Sequence, residues 1–337
     1  MAYILIIAFI LRLIFLQKAD PVSDELDYLG LSKGILKGRY IIPGTKLHTF
    51  RTPGYPFFLA LFGFAPRLIQ AIIGTGTVYM TYLIALHLFG EFTAIIAALL
   101  MAVEYDHILS TRKLLPDTLF VFITMLGVYF MACGHYLMAS LILGMSAIIK
   151  PVNQLIFIIP LVLGSGLHTL SFMIIVPWML MNYIKYGVFS LSSISGYNLY
   201  FYNVGLSILR STDMTIDQVN SLTEKTPRKF QDFKMSGQQK KKAITWIRKN
   251  PVNYFMGQVK GLYFLFFDAS KIYIPILLIC YITAVYGVLI DFELLPILVI
   301  GYYLLFTGAP GRARYRLSLS PYYIMFSATG LISLLKI

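Results

Sequence analysis

The chain has 337 residues, of which 58% are hydrophobic and only 13% charged, and its mean hydropathy is +0.74. A soluble domain carries about twice that share of charge and a disordered chain lacks the apolar content, so both classes are excluded and most of the surface is expected to face lipid. The net charge of +13 points, on a membrane protein, to anionic headgroups or phosphate.

Met1 to Leu16 is apolar apart from Arg12 and lacks a basic leader and a small-residue cleavage site. It reads as a retained first helix, with Arg12 a structural polar residue inside the bundle. A polar segment follows from Gln17 to about Tyr55, in which Pro21 and Ser23 start a short membrane-surface helix. Leu26, Leu29 and Leu36 are expected toward the bilayer, with Tyr28 and Lys33 near its boundary. At about 20 residues per crossing, with shorter spans where tilt or burial helps, helices are predicted near 67–89, 92–108, 117–133, 136–150, 152–164 and 168–186. A second polar segment runs from about Ser190 to Pro251, ahead of an aromatic stretch, Tyr254 to Phe267, that lies in the interface or dips into the membrane. Three more helices are predicted near 271–290, 294–309 and 317–335. Cys133 and Cys280 both sit in apolar runs and make neither a disulfide framework nor a thiolate metal site.

Backbone polar groups in lipid must be satisfied internally, and these apolar runs are too long for barrel strands. The fold class is therefore an all-α integral membrane protein, a polytopic bundle of about ten transmembrane helices with two polar loops. It divides into a transmembrane module 1–189 with its first loop 17–55, a basic loop and interfacial helices 190–268, and C-terminal helices 269–337. If 254–267 does not fully cross, both polar segments share one face with the connections at Asp106 to Pro116, Lys150 to Pro151 and Gly308 to Arg316. If it does cross, the Arg312 to Arg316 cluster moves to the other face. The connections opposite are tiny, for example Phe89 to Phe92, Gly164 to Leu167 and Asp291 to Glu293, and apart from Lys336 that side has almost no basic residues. Lys and Arg usually mark cytoplasmic loops, which puts the polar face inside the cell; a phosphate-binding role puts it outside. Composition leaves both readings open.

The acidic run at Asp24, Glu25 and Asp27 follows the first helix. A helix N-terminus accommodates such residues, and that reading is favoured for Asp27; for Asp24 and Glu25 at a membrane mouth, function is favoured. Arg51 precedes Thr52 and Pro53, and its planar guanidinium suits phosphate oxygens. Asp117 lies behind Pro116, where an ordinary helix-terminus role and catalysis weigh about equally. Asp106 competes with it; Glu104 and His107 beside it look metal-like but lack the i, i+4 histidine pair of a zinc helix. Arg112 and Lys113 share the Asp117 loop, Lys150 precedes a proline, and Arg312, Arg314 and Arg316 surround Tyr315. Charges this close to a membrane usually mark a cavity or interface. From Arg210 to Asn250 there are ten basic and four acidic residues. The Lys240 to Lys242 run there, followed by Ala243, Ile244, Trp246 and Ile247, reads as an amphipathic surface helix facing anionic lipids. Its aromatics do not alternate with bases as a nucleic-acid platform would, so no nucleic acid is expected.

Taken as an ordered series, six features resemble the bacterial and archaeal protein O-mannosyltransferase and aminoarabinose-transferase superfamily of GT-C glycosyltransferases. They are the acidic pair with Tyr28, R-x-P-G-Y-P at Arg51 to Pro56, G-x-x-x-I-I-K-P at Gly144 to Pro151, P-W-x-x-x-N-Y-x-x-Y-G at Pro177 to Gly187, G-Y-N-L-Y at Gly196 to Tyr200, and R-Y-R-L-S-L-S-P at Arg314 to Pro321. The resemblance spans about residues 1–205 and 310–335. It implies a polyprenyl-phosphate sugar donor, an extracytoplasmic active face in the cell membrane, and a lipid, glycan or protein acceptor. It makes Asp24 the general base, with Glu25 beside it and Asp117 the second-loop acid. Arg51, Arg112, Lys150, Arg314 and Arg316 become candidates for the donor phosphate, and Tyr28, Tyr55, Asp106, Tyr197 and Asn198 for the substrate cavity. In the aminoarabinose enzymes an acidic metal ligand precedes the phosphate cation; here that residue is Phe50, so no metal or other cofactor is expected to be required. Ser318 stands where the family often has proline, and with no counterpart of the family's larger C-terminal domains in these residues, acceptor recognition is expected to come mainly from the loops.

Two functions fit a basic phosphate-binding cavity, a transferase and a transporter or flippase of lipid-linked sugars. Transporters favour inverted repeats with broken helices near the midplane. No such repeat is evident and the polar residues gather at one face, which favours the enzyme. A relative whose chemistry has decayed is the third reading.

Overall fold

A computed structural model describes residues 1–16, 21, 24–164, 170–269, 273–307 and 310–335, and among them the regular structure is entirely helical. The first helices are α1 (Ala2–Ile14), α2 (Asp24–Leu36), α3 (Leu47–Phe50), α4 (Gly54–Phe62) and α5 (Pro66–Phe89). Helix α5 begins with Pro66 in the first turn, where its missing N–H costs nothing. Then come α6 (Glu91–Ala102), α7 (Tyr105–Ser110), α8 (Asp117–Ala132), α9 (Tyr136–Ile149), α10 (Ile158–Val162) and α11 (Ser171–Tyr186). The second half holds α12 (Ile194–Tyr197), α13 (Gly205–Ser211), α14 (Ile216–Leu222), α15 (Phe233–Lys249) and α16 (Pro251–Phe267). It ends with α17 (Ile274–Ile290), α18 (Leu294–Thr307), α19 (Ala313–Arg316) and α20 (Ser320–Leu335).

Several predicted boundaries move. The helix expected over 92–108 divides after Ala102, because Glu104 takes an extended backbone and its carboxylate accepts the His107 N–H at 2.6 Å, which starts α7 afresh. The helix expected over 152–164 is a 3-10 turn, Pro151–Leu155, followed by the short α10. There the Asn153 amide donates to Thr124 and Ser146, tying this turn to α8 and α9. The last helix starts at Ser320 rather than 317, after the separate turn α19. The proposed start at Ser23, much of the Gly164 to Leu167 connection, the beginnings of the helices drawn from 168 and 271, residues 308 and 309, and Lys336 lie outside the described residues.

Helix α20 is buried all round from Ser320 to Gly330, as a central helix should be. It packs on α17 and α6. On α17, Gly287 lies against the Phe326 carbonyl and, on α20, Gly330 lies against that of Thr283, where a Cβ would collide. The two backbones therefore approach closely, and Thr283 and Ser327 share a hydroxyl hydrogen bond of 2.7 Å between them. The opposite face of α17 carries Ile276, Ile279, Ile282, Val285 and Leu289, all exposed. A helix as apolar outside as inside is built for an apolar solvent.

By length and composition one described helix, Pro66–Phe89 with 24 residues, suffices to cross a membrane; eight further apolar helices have 10–17 residues. At 1.5 Å per residue these reach about 15–26 Å, less than a bilayer core of about 30 Å. The expected ten crossings are thus matched by one helix of full length.

Candidate functional site

Helix α2 carries Asp24 and Asp27 one turn apart, so both face the same way. Arg51 meets them: its Nη2 lies 2.8 Å from Asp24 Oδ1 and 2.7 Å from Asp27 Oδ2. Arg51 sits just past α3 with extended backbone, ahead of Pro53, and its carbonyl accepts the Tyr40 hydroxyl at 3.0 Å. The rings of Tyr28 and Phe50 lie 4.8 and 5.1 Å from its guanidinium carbon. The proline-glycine block then explains itself. Gly54 approaches the Ile148 backbone so closely that a Cβ would sit 2.9 Å from it, and Thr52 donates to the Ile149 carbonyl at 3.2 Å. Both contacts fix Arg51 beside the end of α9, where Lys150 begins the next turn.

Lys150 reaches Asp117, Nζ to Oδ1 at 2.9 Å. Asp117 opens α8 behind Pro116, yet no side chain caps that helix. Its other oxygen takes Arg314 Nε at 2.7 Å, and Arg314 Nη1 continues to Asp24 Oδ2 at 3.2 Å. A fourth cation, Arg228, pairs with Asp24 Oδ1. Four cations and three carboxylates thus form one connected network drawn from six separate parts of the chain. Because Arg314 stands against Asp24, the two belong to the same end of the bundle. Burial works to lower the Arg51 pKa, but Tyr28 and Asp27 outweigh it and the net direction is up. Arg314 follows the same pattern, with Asp117 overcoming burial. Beside Asp117 and Arg314 lies a cavity of about 90 Å³ that Asp106 and Lys113 also line.

Other candidates fall elsewhere. Glu25, buried, accepts the Leu114 N–H at 2.5 Å and so ties α2 to the loop before α8. Arg316 is fully buried and directed away from the network: it pairs with Asp106 and donates to the carbonyls of Leu265 and Phe266 at 3.1 and 3.0 Å. Those are terminal carbonyls of α16, which lack partners within the helix. Arg112 offers its carbonyl to Arg67 and makes no ion pair among the described residues. Tyr55, fully buried, donates to Gln70 at 2.6 Å and packs edge-on to Tyr28. Tyr197 packs edge-on to Phe50, one residue behind Arg51. Asn198 opens a π-helical turn, Asn198–Val204. Among the described residues no group of three His, Cys, Asp or Glu side chains could hold a metal ion.

Two members of the network carry little site signal in the sequence: Asp27 reads as a helix-terminus residue, and Arg228 lies inside the basic segment Arg210 to Asn250, which reads as an amphipathic surface helix over anionic lipids. Only spacing hinted at Asp27, which stands three residues from Asp24. The basic helix α15 also differs from its expected pose: Phe233, Ser236, Gln239 and Ala243 bury against the protein, whereas Ile244 is exposed along with Lys240 to Lys242.

Residues 47–183 match the family described as dolichyl-phosphate-mannose-protein mannosyltransferase. That stretch contains Arg51, Asp117 and Lys150. No curated protein matches the chain. Among solved structures, ArnT from Cupriavidus metallidurans in the apo state is 13% identical over 98% of this chain and 76% of that one, with a TM-score of 0.45. The same protein bound to undecaprenyl phosphate gives 13%, 98%, 76% and 0.46. Residues 47–183 are thus similar to that mannosyltransferase family, and the motifs at Arg51 to Pro56 and Gly144 to Pro151 lie within the matched stretch.

Proposed function

We propose that the protein is a membrane glycosyltransferase that moves a sugar from a polyprenyl-phosphate donor to an acceptor hydroxyl with inversion at the anomeric carbon. The observation that carries this reading is the Arg314 bridge, which joins the two loop acids Asp24 and Asp117 in one cationic cluster. The four cations exceed the three carboxylates by one charge. A phosphodiester donor carries one negative charge, so the cluster suits it. Arg51 Nε is buried with no hydrogen-bond partner among the described residues, which leaves a donor for a phosphate oxygen.

In this mechanism the acceptor oxygen attacks the anomeric carbon as Asp24 takes its proton. The bond from that carbon to the phosphate oxygen breaks, its electron pair stays on the phosphate, and Arg51, Arg314 and Lys150 stabilise the added charge. Asp117 holds Lys150 and Arg314 in position. With the leaving charge met by protein cations, no divalent metal is required. The exposed apolar faces, as on α17, suit a lipid surround, and the site faces the extracytoplasmic side.

Purified protein incubated with polyprenyl-phosphate sugars and acceptor should release polyprenyl monophosphate, and Arg51→Ala should slow this by about 100-fold or more. Release at the wild-type rate by that variant would refute the assignment of Arg51. For sidedness, Gln238→Cys, exposed on α15, in a background with Cys133 and Cys280 replaced by Ala, should react with an impermeant thiol reagent in intact cells. Labelling only after permeabilisation would place the site on the cytoplasmic side.

A further inference from the structure

Arg228 belongs to none of the motifs, yet its placement is built rather than incidental. The Lys229 carbonyl next to it accepts the Lys46 N–H at 2.6 Å, and the Gln231 carbonyl accepts Thr49 Oγ1 at 3.2 Å. Gln231 is itself fully buried; its side-chain oxygen accepts from Gln239 of α15 at 2.7 Å, and its amide donates to Thr226 at 2.5 Å. Segment 226–231 is therefore pinned between α3 and α15, directly beside the turn that carries Arg51. From there Arg228 extends to Asp24, a carboxylate that Arg51 and Arg314 already neutralise.

Three guanidiniums on one carboxylate are more than neutralisation needs, and each repels the others. Burial, then the Arg314 charge, lowers the Arg228 pKa. Cations brought together at such cost suit a second anion whose oxygens several guanidiniums can share, as those of a phosphate group are.

We infer that Arg228 is a ligand of the phosphate group of a lipid phosphate, and that its ion pair with Asp24 holds the phosphate's place until that lipid arrives. This rests on the function proposed above and adds a residue to it from the second polar loop. As the phosphate takes up the guanidiniums, Asp24 loses counter-ions and becomes the better proton acceptor, so donor binding itself readies the base.

The test is binding of farnesyl phosphate, farnesol and inorganic phosphate to the purified full chain in detergent by calorimetry. Wild type should bind farnesyl phosphate more tightly than either of the others. Arg228→Gln should weaken farnesyl phosphate by about ten-fold or more, the loss expected for one charge-assisted hydrogen bond, while Arg228→Lys recovers part of it and Lys240→Gln, on the exposed face of α15, binds as wild type. Wild-type affinity in Arg228→Gln together with weakened binding in Arg51→Gln would overturn the inference and leave the proposed function standing. No preference for farnesyl phosphate in the wild type would overturn both. A measurement on the unaltered chain covers the case in which the variant does not fold: phenylglyoxal modification of Arg228, followed by mass spectrometry, should be slowed by farnesyl phosphate and not by farnesol. Equal rates with and without farnesyl phosphate would overturn the inference.

Discussion

Asp24 and Arg314 stand 290 positions apart in the chain, and Arg314 Nη1 lies 3.2 Å from Asp24 Oδ2 while its Nε holds Asp117 Oδ2 at 2.7 Å. One guanidinium thus sets the spacing of the two acids. Arg314→Ala should lower turnover by about 100-fold or more, since it removes a stabilising cation and releases both carboxylates. Arg314→Lys should recover only part, because an ammonium lacks the planar fork that spans two partners. Steady-state release of polyprenyl phosphate by the three proteins checks this; full recovery by lysine would show that charge alone suffices.

Arg316, two residues on, has a different part to play. It clamps Asp106 and the last carbonyls of α16. Removing one partner of a buried pair costs about 3–5 kcal/mol, so Arg316→Met should lower thermal stability sharply. In the fraction that remains folded, affinity for farnesyl phosphate should stay as in the wild type. A stable variant with weakened affinity would return Arg316 to the phosphate site, where the sequence had placed it.

Glu104 predicts a pH effect away from the reaction. Burial, and then the Asp106 charge, push its pKa from 4.5 up to about 7, against the hydrogen bonds from His107 and Tyr273. Between those two values the folded protein holds more protons at this site than the unfolded chain does, so this contribution to stability is lost as pH rises from about 4.5 to about 7. Melting temperature of the solubilised protein should fall across that window, and Glu104→Gln should flatten the slope. An unchanged slope in the variant would assign the effect to another group.

Helices were legible where apolar runs were long, as at Pro66–Phe89, and became illegible where a side chain rather than a proline or glycine made the break, as Glu104 does. Arg51, Asp24 and Asp117, which the structure joins in one ion-pair network, stand out in the sequence because prolines and glycines mark the backbone around them. The P-W-x-x-x-N motif was legible as a motif but not in its work: Trp178 and Asn182 donate to the carbonyls of Leu191 and Ser190, folding the following segment back so that Ser193 N–H can reach Thr49. That Arg228 pairs with Asp24, and Arg316 with Asp106 outside the network, was not legible for one shared reason. A basic residue's partner depends on which way its side chain is aimed, and residue spacing in a loop does not carry that direction.

The most direct test of the central claim is a single-turnover measurement with a labelled polyprenyl-phosphate sugar, comparing wild type with Asp24→Asn at matched folded fraction. Wild type should release polyprenyl monophosphate as the sugar appears on the acceptor, while Asp24→Asn should bind the donor yet transfer at least about 100-fold more slowly. Transfer by Asp24→Asn at the wild-type rate would rule out Asp24 as the base.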